Sequence, residues 1–143
     1  IFFAGLEIVE HQPHTIYFSR YPEGREATMG WPKPDVIFRN NTENAVLIDT
    51  SHTGTSITVS IYGDNGDLNV RAGLSDRFRY TGPIAKYERN PKLEPGTQVV
   101  VKQGSGGWSV IVTRTISDTQ GEVISEEEWS WSYLGAFRVI EYN

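Results

Sequence analysis

Residues 108–116 and 123–131 are two runs of β-branched and aromatic side chains separated by the turn residues Thr119, Gln120 and Gly121. Such runs are strand-formers, and a short turn between them makes an antiparallel hairpin. The same punctuation recurs along the chain. Residues 35–39 read as a strand stopped by Asn40, Asn41 and Thr42, and residues 45–49 read as a second. Residues 56–63 read as a third, with Ile57, Val59 and Ile61 on one face and Ser56, Thr58 and Ser60 on the other. Short turns between these three predict a meander. Residues 68–80 add one or two strands, residues 99–102 another, and residues 137–141 a last one that closes the C-terminal sheet. The apolar positions Phe2, Phe3, Leu6 and Val9 have helical spacing, but Gly5 interrupts them. The predicted fold class is therefore mainly β, with antiparallel sheets and at most a short N-terminal helix.

A chain of 143 residues accommodates one domain or two small ones. Turn residues dominate around Thr81, Gly82 and Pro83 and again from Asn90 to Gly96. They place a boundary that divides residues 1–88 from a small β-module at 89–143. The formal net charge of −5 argues against nucleic acid and against an anionic membrane surface. The absence of cysteine excludes a thiol nucleophile, disulfides and thiolate metal sites. No apolar run approaches the roughly 20 residues that span a bilayer, so no membrane insertion is expected. The chain opens on an apolar run without an initiator Met, which reads as a fragment of something longer.

Polar chemistry concentrates between His11 and Thr28. Two imidazoles, two guanidiniums, two tyrosines and two carboxylates share a stretch that Pro13, Pro22 and Gly24 keep from being a regular helix. Such groups on irregular backbone are candidates for binding or catalysis. Pro13 between His11 and His14 removes the helical face that a metal-ligand pair needs, so no metal and no cofactor is expected. The imidazoles would donate hydrogen bonds or act as a base, or else fix the loop through backbone carbonyls. Arg20, Arg25 and Arg39 would clamp a planar oxyanion, or else pair with Glu23, Glu26 or Asp35 to pin the turn. Tyr17, Tyr21 and Trp31 would stack on a ligand or cap the edge of a core. Ser19 and Ser51 lack a nucleophile-elbow pattern. Near the C-terminus Trp129, Trp131 and Tyr133 alternate. One strand face then carries an aromatic row, which is either core or an exposed platform.

Several motifs in order carry a resemblance. Ala4 to His11, Pro13 with His14, Tyr21-Pro22 with Gly24-Arg25-Glu26-Ala27-Thr28, Asp35 to Thr42, Val46-Leu47-Ile48, and Val59 with Ile61-Tyr62-Gly63 together resemble the C-terminal half of a VanW-like domain over residues 1–63. The family takes its name from a vancomycin-resistance cluster. The resemblance implies a bacterial cell-surface setting, and it implies a Gly-rich segment upstream of the matched region. Residues 96–143 are similar, more weakly, to a G5 module through Gly104, Gly107, Thr113-Arg114-Thr115 and Gly121; Leu134-Gly135 stands where that module carries Lys-Pro. The G5 resemblance implies adhesion and binding to amino-sugar polymers.

The expected function is that of an extracellular, cell-envelope protein fragment. It would bind peptidoglycan or another wall glycan through His11, His14, Arg20, Tyr21, Arg25 and Arg39, with Trp129, Trp131 and Tyr133 as an aromatic platform. Two alternatives stand beside it: a cell-wall-modifying enzyme whose nucleophile lies upstream, with His11 or His14 as base, and a structural spacer. For this chain itself, binding is expected before catalysis. No oligomeric state follows from the sequence.

Overall fold

The computed structural model describes residues 1–143 and contains eleven strands and no helix. These are β1 (Glu7–Glu10), β2 (Ile37–Arg39), β3 (Leu47–His52), β4 (Ile57–Tyr62), β5 (Asn69–Leu74), β6 (Phe78–Thr81), β7 (Ala85–Arg89), β8 (Gln98–Lys102), β9 (Gly107–Ser117), β10 (Val123–Tyr133) and β11 (Arg138–Tyr142). The mainly β class read from the sequence is the observed one. Instead of a helix, residues 1–5 form two overlapping turns, closed by Ala4 N–H on the Ile1 carbonyl and Gly5 N–H on the Phe2 carbonyl. Gly5 follows at φ +74°, a left-handed conformation that ends any helical continuation.

The chain divides into two compact units, each assembled from three segments. The first comprises Ile1–Gln12, Ala27–Gly73 and Thr113–Glu128. Here β1 pairs antiparallel with β2, with a bulge between Ile8 and Glu10. β3 pairs with β4 as an isolated hairpin in register from Leu47↔Tyr62 to His52↔Ile57. The expected three-strand meander is therefore corrected: β2 takes β1 as its partner and leaves β3 and β4 to each other. Local alternation specifies a strand but not its neighbour, which is chosen by non-local pairing. Residues 113–117 of β9 and 123–128 of β10 complete this unit with most of β5. Its core holds Leu6 and Ile116.

Arg114 is the polar centre of that core, at 1% exposure. Strand alternation puts it on the same face as Ile116, where a guanidinium must find acceptors or the cost of its burial goes uncompensated. Its Nε donates to Glu127 Oε2 at 2.5 Å, and its Nη1 donates to the carbonyls of Leu6 (2.9 Å) and Phe2 (3.2 Å). The Phe2 ring lies under the guanidinium at 5.4 Å. One side chain thus ties the N-terminal turns to β9 and β10.

The second unit comprises Pro13–Glu26, Leu74–Val112 and Trp129–Asn143. β6 pairs antiparallel with β9, matching Phe78↔Ser109 and Thr81↔Gly107. A separate sheet has the order β7-β11-β8. β11 lies antiparallel to β8 and parallel to β7. The last strand therefore joins β7 and β8 and does not close the hairpin sheet. The turn-rich stretch between Thr81 and Gly96, which reads as a boundary, also contains β7. Val110, Val112, Tyr133 and Val139 form the buried centre of this unit.

Candidate functional site

The Pro13–Glu26 segment folds as a series of turns within the second unit. Tyr21 N–H donates to the Phe18 carbonyl and Arg25 N–H to the Pro22 carbonyl, each at 3.0 Å. Gly24 sits at φ +74°, and a Cβ placed there would come within 2.2 Å of Val112 Cγ2. Only glycine satisfies both the backbone angle and the close approach to β9.

Two side-chain anchors hold the segment down. Tyr133, at the end of β10, is 2% exposed. Its hydroxyl accepts from Gly24 N–H at 2.7 Å and donates to Glu26 Oε1 at 2.8 Å. Burial pushes the Tyr133 hydroxyl well above its ordinary range, and the bond to the Glu26 carboxylate adds to this while the Gly24 N–H opposes it. Glu23 is the second anchor. It accepts from Trp108 Nε1 at 2.5 Å and from Arg77 Nε and Nη2, each at 3.0 Å to one of its two oxygens. The Arg77 guanidinium also lies 4.1 Å over the Trp108 ring. Its bond to Glu23 leads the causes that raise the Arg77 pKa. Tyr17, Trp108 and Tyr133 surround the anchors with ring centroids 5.4–6.0 Å apart.

On this base stands an outer layer. The His14 and Tyr21 rings are stacked at 5.1 Å with 6° between their planes. Phe18 meets His14 edge-on at 5.5 Å. The Arg20 guanidinium lies 5.1 Å over Tyr21 and 5.9 Å over Phe18. Arg20 and Phe18 are exposed. His14 Nδ1 is buried without a hydrogen-bond partner, as is Glu26 Oε2. A buried polar atom left unsatisfied in a native fold calls for an explanation, and a ligand or an ordered water is one. An exposed guanidinium over aromatic rings suits a carboxylate partner, with the exposed ring of Phe18 as an apolar shoulder.

The structure thus gathers three of the residues proposed from sequence: His14, Arg20 and Tyr21. Arg25 lies in the same segment and is half-buried. His11 and Arg39 belong to the first unit. Arg39 Nη1 is held by both oxygens of Glu7, at 2.7 and 2.8 Å, so the pinning role prevails there, with a different carboxylate from those expected. The alternation of Trp129, Trp131 and Tyr133 is as read, with the first two half-buried. Tyr133, however, is core and anchor, not part of an open platform. Arg77, Trp108, Glu23 and Glu26 escaped sequence reading as site residues. Their contacts join segments 54 to 107 residues apart, and no local pattern marks them.

Two solved G5 domains are similar to this chain in part. The crystal structure of HP0197-G5 is 14% identical, covering 53% of this chain and 95% of that one, with a TM-score of 0.31. The G5 domain of an IgA1 protease is 23% identical, covering 53% and 88%, with a TM-score of 0.35. The uncharacterized protein YoaR of Bacillus subtilis (strain 168) is 36% identical over 62 residues, which are 43% of this chain and 20% of that protein. The chain thus spans about a fifth of the length of that relative. Residues 1–62 match the family described as VanW like protein. With the motif series that runs from Ala4 to Tyr62, that match makes the N-terminal 62 residues of this chain a VanW-like segment.

Proposed function

We propose that the chain is a binding module of a bacterial cell-envelope protein, and that its Pro13–Glu26 segment contacts peptidoglycan or another wall glycan. The VanW-like match fits a cell-envelope protein. In this reading residues 1–88 are the VanW-like block with its trailing strands, residues 89–143 are a G5-like module, and the setting is extracellular. The observation that carries the binding role is the arrangement of Arg20 and His14 on the Tyr21 ring, with an exposed guanidinium and an unsatisfied buried imidazole nitrogen in the same segment. Arg20 takes a carboxylate of a wall peptide or acidic sugar. His14 supplies a hydrogen bond, and Phe18 packs on the apolar part of the ligand. Tyr21 orients Arg20, because both the His14 ring and the guanidinium lie over it. Retention on purified peptidoglycan tests this. The 143-residue chain is expected to be retained, and the Arg20→Ala chain about tenfold less, the scale of one lost charge-assisted hydrogen bond. Failure of the unaltered chain to be retained overturns the reading, and equal retention of the variant removes Arg20 from it.

A further inference from the structure

The first unit contains a cavity of about 300 Å³ that the proposed wall-binding surface does not use. That volume is at the lower end of small-molecule sites. Gly5, Leu68, Ile116 and Ile124 supply its apolar lining, and Glu7, Asn41, Arg114, Ser125 and Glu127 its polar one.

The hydrogen bonds of this lining are unequally used. Both Glu7 oxygens are taken by Arg39. Glu127 spends a single oxygen, Oε2, on the Arg114 Nε and Nη2 groups. Its other oxygen, Oε1, accepts nothing from the protein. The Ser125 hydroxyl is likewise without a protein partner. Asn41 accepts from Glu7 N–H through Oδ1, and its amide N–H groups remain unused. Glu127 is not adaptable, because a buried guanidinium that bonds two backbone carbonyls as well holds the carboxylate in one position. The cavity therefore presents a fixed acceptor, a hydroxyl and an amide donor beside aliphatic side chains.

We propose that this cavity binds a neutral carboxamide on a short aliphatic body. Charge sets the class. Arg39 cancels Glu7, and Arg114 cancels Glu127, so the surroundings are balanced. A charged ligand would lose part of its hydration in this half-open site and meet no net opposite charge to compensate it. A carboxamide instead matches the unused groups: its N–H donates to Glu127 Oε1, and its carbonyl accepts from Asn41 Nδ2 or Ser125 Oγ. Leu68 and Ile116 cover the alkyl part.

The test is an NMR titration of the 143-residue chain with three probes of one shape: isobutyramide, isobutyrate and isobutylammonium. The backbone amide signals of Leu68, Ser125 and Glu127 report binding. Saturable shifts with isobutyramide in the millimolar range are expected, with affinity about tenfold or more weaker for the two charged probes. Ser125→Leu fills the cavity without touching the Arg114 ion pair and should abolish the response. Glu127→Gln should weaken it about tenfold if the variant folds; if it does not fold, Ser125→Leu decides alone. Tighter binding of either charged probe overturns the proposed class. No saturable shift with any probe, or an unchanged response in Ser125→Leu, overturns the site.

Discussion

Arg114 and Tyr133 are the two largest fully buried side chains in the protein, and both are polar. One is central to each compact unit, on β9 and β10 respectively. Each ties an N-terminal segment to a strand: Arg114 through the Phe2 and Leu6 carbonyls, Tyr133 through Gly24 N–H and the Glu26 carboxylate. The difference is in the chemistry. A guanidinium is always charged and only donates, so it collects a carboxylate and two carbonyls. A phenol is neutral and both donates and accepts, so two partners satisfy it. Burial of a polar group is tolerated in either unit once its bonds are complete, but the penalty for an incomplete set should be greater for the charge.

The largest loss is expected at Glu127. Glu127→Ala strands the Arg114 charge at 1% exposure and should cost about 3 kcal/mol, discounted toward the lower end because Glu127 itself is partly exposed. Urea unfolding of the variant against the parent chain measures it, and a loss below that of Tyr133→Phe would reverse the comparison. Gly24→Ala attacks the Tyr133 side by backbone instead of hydrogen bond. The 2.2 Å approach to Val112 Cγ2 and the left-handed φ together should cost about 2 kcal/mol, read as a lowered Tm. Tyr133→Phe removes the hydroxyl alone. It leaves Gly24 N–H and Glu26 Oε1 unpaired and should cost about 1–2 kcal/mol in the same urea experiment.

The phenol also makes its unit sensitive to alkali, with a definite sign. Its folded pKa lies above the ordinary 10.0, so between the two values the folded state binds more protons than the unfolded one. The stabilisation is complete below pH 10 and is lost as pH rises toward the folded value. The stability difference between the parent chain and Tyr133→Phe should therefore narrow above pH 10; a gap that stays constant would remove the titration of Tyr133 from the account. The smallest effect is expected at Arg39→Ala. Its ion pair with Glu7 is exposed and screened, and its loss should cost about 0–1 kcal/mol.

Much of the fold was legible because strand formation is local. The alternation in residues 56–63 and the long runs that became β9 and β10 carry their own period and their own turn residues. Strand partners were not legible. β2 joined β1 and not β3, and β11 joined β7 and β8. The candidate site divided in the same way. His14, Arg20 and Tyr21 lie within one short segment, so their clustering was open to inspection. Arg77 and Trp108 reach Glu23 across 54 and 85 residues, and nothing near them in the chain announces it.

By itself the sequence determined that this is a mainly β chain with a VanW-like N-terminal segment and a polar, turn-rich stretch at 11–28. Those properties rest on periodicity, turn residues and ordered motifs, all of which are written in neighbouring positions. Tertiary structure alone decided that Tyr133 is an anchor instead of a platform, that Arg39 is committed to Glu7, and that Arg114 leaves Glu127 with one oxygen unused. Whether a polar side chain is buried, and which of its atoms are already satisfied, depends on residues far away in the chain that only folding brings within hydrogen-bonding distance.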